Sequence, residues 1–282
     1  MIDPETMRRV VRLALEEDLG GGDITSRAVV DESVAARGRI VARDPLVVAG
    51  VDVAREVFRQ VDDRLDFRAL CADGDARRAG EVIALVAGAA RSILAAERTA
   101  LNFLQRMSGI ASRTRELVER VRGSGVEIAD TRKTAPGLRA FDKHAVRAGG
   151  GVSHRTGLYD AVLIKDNHWR LAGGVGNAVR RARAALAGEA RGVRIEIEVG
   201  TLREVDEALD AGADAVLLDN MDAELLREAV SRAAGRACIE VSGGVGADRI
   251  RSIAALGVQR ISLGLLTHSA RAADIALELE PA

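Results

Sequence analysis

The sequence predicts an α/β protein in two parts. An N-terminal α+β segment with an antiparallel sheet precedes a run of βα units that forms a parallel barrel. Three observations predict this. Short apolar strands alternate with helical patterns through the second half, the last four beginning 22 or 23 residues apart. At least six such units point to a barrel, with an open doubly wound sheet as the competing architecture. The first part instead has strand patterns broken by the turn signals Asp44-Pro45 and Asp73-Gly74-Asp75. Finally, the residues just past the apolar strands of the second half are charged, polar or glycine, and barrel chemistry collects at those ends.

Residues 4–19 read as an amphipathic helix opened by Pro4 and stopped by Gly20. Residues 34–43 and 64–86 read as strands, with a helical pattern over 50–61 between them. Residues 91–122 read as long helical stretches interrupted near Gly109, bridging to the second part. The barrel strands are expected at 126–129, 161–164, 193–199, 215–218, 238–241 and 260–263. Helical patterns at 202–211, 223–234 and 247–256 separate the later ones.

Composition narrows the function classes. The 282 residues are 48% hydrophobic and 29% charged, which fits neither a disordered chain nor a membrane protein. The longest apolar run, 46–51, is far short of a membrane span, so no membrane partner is expected. Asp3, Glu5, Arg8, Arg9, Arg12, Glu16 and Glu17 leave no signal-peptide core near the start. Two cysteines, Cys71 and Cys238, make no disulfide framework and match no zinc spacing. A reducing, cytoplasmic home is expected. A net charge of −1 and 2% aromatics argue against nucleic acid as a partner.

Charge is unevenly placed. Residues 98–170 hold 14 Lys or Arg against 7 Asp or Glu, which suggests an anionic small ligand or else a solvated basic face. Only three of the 41 basic residues are lysine, namely Lys133, Lys143 and Lys165, and all fall in this segment. Lys143 lies in a helical stretch and reads as ordinary surface. Lys133 and Lys165 follow apolar strands, where a compact ammonium differs in use from the Arg fork.

The strand ends read Asp130-Thr131-Arg132-Lys133, Lys165-Asp166-Asn167-His168, Glu196 with Glu198, Asp219-Asn220, Ser242-Gly243-Gly244 and Gly264. A single such residue is usually a helix cap, but one rim holding cations, carboxylates and two glycine turns suggests a site. Ser242-Gly243-Gly244 follows a strand and is read as opening a helix, and Gly264 is followed by Thr267 and His268. Such turns on the last two strands suit a phosphate. Glu196 and Glu198 face the same side of one strand and need a cation between or beside them. No complete G-x-G-x-x-G or P-loop occurs.

The runs Asp130-Thr131-Arg132-Lys133-Thr134, His154-Arg155 and Leu163-Ile164-Lys165-Asp166-Asn167-His168 resemble the quinolinate phosphoribosyltransferase family. The likeness extends through Glu17-Asp18-Leu19-Gly20, Glu97-Arg98-Thr99-Ala100-Leu101-Asn102, Gly149-Gly150-Gly151, Leu218-Asp219-Asn220 and Ser242-Gly243-Gly244. The resemblance implies an N-terminal α/β sandwich domain (1–109) and a C-terminal incomplete (β/α) TIM-like barrel (110–268). A last helix, 269–282, is expected to pack back on the first domain. The implied reaction transfers phosphoribosyl from phosphoribosyl pyrophosphate to quinolinate. It gives nicotinate mononucleotide, pyrophosphate and CO2, with Mg2+ as cofactor.

The resemblance also assigns roles. Arg132, Lys133, His154, Arg155 and Lys165 are expected around the dicarboxylate, joined by Arg98 from a neighbouring subunit of a homodimer or higher assembly. Lys133, Glu198 and Asp219 are the expected catalytic groups, with Glu198 and Asp219 near the metal directly or through water. Ser242, Gly243, Gly244, Gly264 and His268 are expected on the phosphates. The residues taken alone leave two alternatives: a sugar-phosphate aldolase or isomerase using Lys165 as a Schiff base, and a non-enzymatic relative that only binds an anion.

Overall fold

The computed structural model describes residues 1–187 and 192–282. In chain order the first elements are α1 (Pro4–Leu19), α2 (Ile24–Val29), β1 (Ala35–Ala42), β2 (Leu46–Val47), α3 (Val51–Val61), β3 (Asp66–Ala69), β4 (Ala76–Arg77), β5 (Val82–Ala89) and α4 (Ala90–Arg120). There follow β6 (Glu127–Ala129), α5 (Arg139–Ala148), β7 (Val162–Ile164), α6 (Asp166–Leu171), α7 (Val175–Ala185), β8 (Ile195–Val199) and α8 (Leu202–Asp210). The chain ends through β9 (Ala215–Asp219), α9 (Ala223–Ala233), β10 (Cys238–Ser242), α10 (Ile250–Ala254), β11 (Arg260–Ser262), α11 (Leu265–His268) and β12 (Ile275–Pro281).

Two compact units emerge. The first comprises 1–115, 133–150 and 265–282, and the second 116–132 and 151–264. This division differs from a boundary at 109/110, because 133–150 and the C-terminal segment belong with the first unit. For 133–150 the bonding agrees with it: Arg106 of α4 forms a two-pronged pair with buried Asp142 of α5, at 2.8 and 2.7 Å.

The first unit is built on an antiparallel sheet in the order β12-β1-β5-β3. Ile40, Ile83 and Val86 on this sheet are fully or nearly fully buried, as are Val57, Phe58, Ile93, Leu104 and Met107 on the helices. Asp73 caps α3, accepting the N–H groups of Gly50 and Val51 at 2.9 and 3.0 Å. The expected C-terminal helix over 269–282 is not formed. Ile275–Pro281 is a strand paired antiparallel to β1, and the alternation Ile275, Leu277, Leu279 is its period-2 signature. Leu277 and Leu279 close over Gly38, where an added Cβ would lie 2.9 and 3.1 Å from them.

The expected break at Gly109 is also absent, since α4 runs unbroken for 31 residues. Gly109 serves a close approach instead: a Cβ there would lie 2.1 Å from the carbonyl oxygen of Arg271. Lys143 is not surface but 2% exposed.

The second unit holds a six-stranded parallel sheet in the order β6-β11-β10-β9-β8-β7. Five strands lie side by side in sequence order, and β6 pairs with the last of them. That winding has no reversal point, so the structure is a barrel and not a doubly wound sheet. It is incomplete: among the described residues β6 and β7 are not paired, and beyond its pairing with β11, β6 has an isolated parallel bridge from Ala129 to Val152.

Candidate active site

Register sorts the barrel residues onto two faces. Glu198 pairs with Leu217, Leu217 with Glu240, Glu240 with Arg260, and Arg260 with Glu127, so these side chains share one face. The opposite face is Ile195, Ile197, Val216, Leu218, Ile239, Val241 and Ile261, all buried. Helices α7 to α9 pack on the strands, so the apolar face meets helices and the polar face looks inward. Strand segments such as Ile-Glu-Ile-Glu-Val thus encode a charged barrel interior.

The strand ends then position the candidates of this unit. Asp130, fully buried after β6, accepts the backbone N–H of His154 at 2.9 Å. Burial and the nearby charge of Arg132 both push the Arg155 guanidinium below its ordinary pKa. Two cations held close enough to oppose each other are a ready site for a dianion. The Lys165 ammonium lies 3.3 Å from the Glu198 carboxylate. His168 is engaged in a cap, its Nδ1 accepting the Lys165 N–H at 2.9 Å.

Asp219, at the end of β9, accepts from the Asn220 side chain at 2.8 Å. Asn220 has φ +53°, in the left-handed region. The turn after β10 lies directly against these two. Gly243 has φ +79°, and a Cβ there would lie 2.4 Å from Asp219 Oδ1 and 2.6 Å from Asn220 Oδ1. Only glycine fits, and it brings the expected phosphate turn against the expected metal carboxylate. Ser242 Oγ donates to the Ser262 carbonyl at 3.3 Å. The turn does not open a helix directly, because 245–249 intervene before the short α10.

His154, expected on the dicarboxylate, has both ring nitrogens engaged. Its Nε2 lies 3.0 Å from Glu196 and its Nδ1 accepts the Arg155 N–H at 2.7 Å. Gly264 closes the second unit in sequence.

Lys133, Arg98 and His268 belong to the first unit. Arg98 is exposed on α4, and His268 is exposed at the end of α11. The Lys133 segment is held at two points: Thr267 Oγ1 donates to the Lys133 carbonyl at 2.8 Å, and the Ala135 N–H donates to Asp142 at 3.2 Å. Asp142 is fully buried and Thr267 is 2% exposed. Sequence reasoning missed Arg106, Asp142 and Glu240. For Glu240 a signal existed, since Cys-Ile-Glu-Val-Ser alternates like the Glu196–Glu198 strand. For Arg106 and Asp142, 36 residues apart, none did.

Comparison with known proteins places these features in context. The family model for the quinolinate phosphoribosyl transferase N-terminal domain matches residues 23–108, and that for its C-terminal domain matches 110–278. A carboxylating nicotinate-nucleotide pyrophosphorylase of Mycobacterium leprae is 43% identical over 281 residues, covering 98% of each chain. A chloroplastic carboxylating nicotinate-nucleotide pyrophosphorylase of rice is 41% identical, covering 97% of this chain and 78% of that protein. The solved structure of the nicotinate-nucleotide pyrophosphorylase from Francisella tularensis superposes with a TM-score of 0.94 at 39% identity, covering 99% of this chain and 98% of that one.

Proposed function

The chain belongs to the quinolinate phosphoribosyltransferase family, and on that premise we propose how its own residues divide the work. As a member of that family it is an enzyme of de novo NAD biosynthesis. It transfers phosphoribosyl from phosphoribosyl pyrophosphate to the nitrogen of quinolinate, releasing pyrophosphate and CO2 and leaving nicotinate mononucleotide.

The observation that carries the division is the Lys165 ammonium 3.3 Å from Glu198, on an inner barrel face that also bears Asp219, with Arg132 and Arg155 as neighbouring cations. The two guanidiniums and the Lys165 ammonium take the two carboxylates of quinolinate, the forks by paired hydrogen bonds and the lysine as a point charge. Arg98, supplied by a second copy, completes that set; both ring nitrogens of His154 are engaged, so it does not bind the dicarboxylate directly. Lys133 serves between the dicarboxylate and the phosphoribosyl group. Ser242, Gly243, Gly244, Gly264 and His268 take the phosphates, with backbone N–H groups approaching where a Cβ could not fit.

Chemistry proceeds in two steps. As the C1′–oxygen bond breaks, its electron pair leaves with pyrophosphate and positive charge builds on the ribose. Glu198 and Asp219 stabilise that charge, and the pyridine nitrogen closes the new bond to C1′. The ring nitrogen is then cationic, so the C2–carboxylate bond can break with its electrons left on C2. CO2 departs, a proton takes its place, and the guanidiniums keep hold of the 3-carboxylate. Glu198 and Asp219 are hard oxygen donors on adjacent strands at the phosphate turn, which fits Mg2+ held by one or two carboxylates plus substrate phosphates. Mg2+, when bound, would neutralise charge on the leaving pyrophosphate.

The assembly is a homodimer or larger, supported by three exposed apolar side chains of the barrel unit, Leu158, Tyr159 and Leu171, at 74, 84 and 88% exposure. The cytoplasm fits the two free thiols, Cys71 and Cys238. Among the described residues no helix is long and apolar enough to cross a membrane. Pyrophosphate release with Mg2+, run separately with quinolinate and nicotinate, tests the reading. Release with quinolinate alone is expected. Release with nicotinate alone would overturn the decarboxylating assignment.

A further inference from the structure

Behind the rim, the barrel interior holds a buried group of side chains that the reaction above leaves without a role. His154 Nε2 lies 3.0 Å from Glu196 Oε2 and 3.4 Å from Glu240 Oε1. Arg260 reaches Glu240 at 3.4 Å and Glu127 at 3.0 Å. Glu240 is 1% exposed and Glu196 9%. Burying charges this deeply is costly unless they are paired and hydrogen-bonded.

We infer that Glu196 and Glu240 are positioning residues for quinolinate, clamping His154 so that its ring fixes the backbone of Arg155. The inference rests on the reading of Arg155 as a ligand of the dicarboxylate. The geometry carries it in a chain. The Arg155 N–H donates to His154 Nδ1, so that nitrogen is an acceptor and the ring proton sits on Nε2. Nε2–H is aimed at Glu196, with Glu240 alongside. On its other side, the His154 backbone is tied by its N–H to buried Asp130. Residues 154 and 155 are therefore held at a backbone N–H each, and both holds end on buried carboxylates.

The same three side chains could be taken for a cation site, since their donor atoms lie within 4.8 Å of one another. The tautomer argues otherwise: a metal needs the Nε2 lone pair, and the Arg155 N–H already occupies the one at Nδ1. A proton fills the role instead. Burial, and after it the charge of Glu196, push the Glu240 carboxyl up to about 7, with His154 and Arg260 opposing. Burial also works against a charged imidazole and the Glu196 hydrogen bond works for it, with a net upward pull. The second ring proton would nonetheless face the Arg155 donor, so the hydrogen-bond geometry keeps the ring neutral. A Glu240 carboxyl raised this far carries a proton part of the time at neutral pH, which lessens the charge gathered around the imidazole N–H.

The test is steady-state kinetics on Glu240→Ala, Glu240→Gln, Arg155→Ala and the double variant Glu240→Ala/Arg155→Ala, each checked for native circular dichroism and melting. Glu240→Ala is expected to raise KM for quinolinate by about tenfold, with KM for phosphoribosyl pyrophosphate unchanged. Glu240→Gln, neutral and of the same shape, should restore most of the loss and guards against a folding defect. In the Arg155→Ala background, Glu240→Ala should add nothing, because its effect runs through that residue. Additive losses, or equal rises in both KM values, would overturn the inference. So would stoichiometric Zn2+ or Mn2+ binding that Glu240→Ala abolishes. If Arg155→Ala itself leaves KM for quinolinate unchanged, it is the ligand assignment that fails.

Discussion

The two larger sheets of this protein carry the same alternating text with opposite meanings. In β1, Ala-Ala-Arg-Gly-Arg-Ile-Val-Ala, the exposed alternate positions Arg37 and Arg39 face water while Ala36 and Ile40 are buried. In β8, Ile-Glu-Ile-Glu-Val, the apolar positions meet helices and the glutamates point into the barrel. The difference teaches that alternation fixes two faces but not which is wet. A polar face left to solvent contributes little to stability. A polar face enclosed by its own sheet has lost that solvation and is retained for chemistry.

Substitutions within β8 sharpen this most. Ile197 is fully buried on the helix-facing side. Ile197→Ala should cost about 2–5 kcal/mol of unfolding free energy, read by urea denaturation, with kcat/KM following only the folded fraction. Glu198→Gln, one residue on, should do the reverse. We expect about a hundredfold loss of kcat, roughly 2.7 kcal/mol, with the urea midpoint nearly unmoved. Equal losses of stability from both would erase the distinction between the faces.

The comparison also explains what could be read from the sequence. Barrel strands were legible because each is a short apolar run before a polar or glycine end, repeated at nearly constant spacing. The family motifs around Lys133, Arg155 and Lys165 were legible because each is contiguous in sequence. β12 was missed although Ile275, Leu277 and Leu279 alternate, because its partner β1 lies far away in the chain. A glycine inside the helical pattern suggests a break at Gly109, whereas it answers to Arg271, which no local window contains. Lys143 looked like surface because burial of a charge depends on tertiary partners. The resemblance places His154 on substrate, and only the folded structure shows both its nitrogens in use.

Within the first unit the rule predicts an intermediate case. Asp73 accepts two amides of α3 and the Nε2 of His144 at 2.7 Å. Burial pushes its carboxyl up, but the hydrogen bonds from His144, Gly50 and Val51 outweigh it and hold the pKa below the ordinary 3.8. A depressed folded-state pKa means the contribution is complete above the unfolded value and is lost as pH falls through the folded one. Asp73→Asn should cost about 1–2 kcal/mol at pH 7. It should also flatten the fall of stability below about pH 4, measured by urea unfolding at stepped pH. An unchanged acid slope would remove Asp73 from that titration.

The smallest effect belongs to the wet face itself. Arg39 on β1 lies 2.7 Å from Glu278 on β12, with the side chains 58 and 33% exposed, and Arg43 shares the same carboxylate at 3.0 Å. These pairs span the join between the first strand and the last, where a strong contact would matter most. Water and salt screen them, and two long side chains lose freedom to meet. A double-mutant cycle on Arg39→Ala and Glu278→Ala should therefore give a coupling of about 0.5 kcal/mol or less, smaller still at 1 M salt. A coupling above about 1.5 kcal/mol would mean that the polar face of this sheet, like that of the barrel, is not simply solvated. The contrast between the two sheets would then lie in which ligand each face meets, and not in access to water.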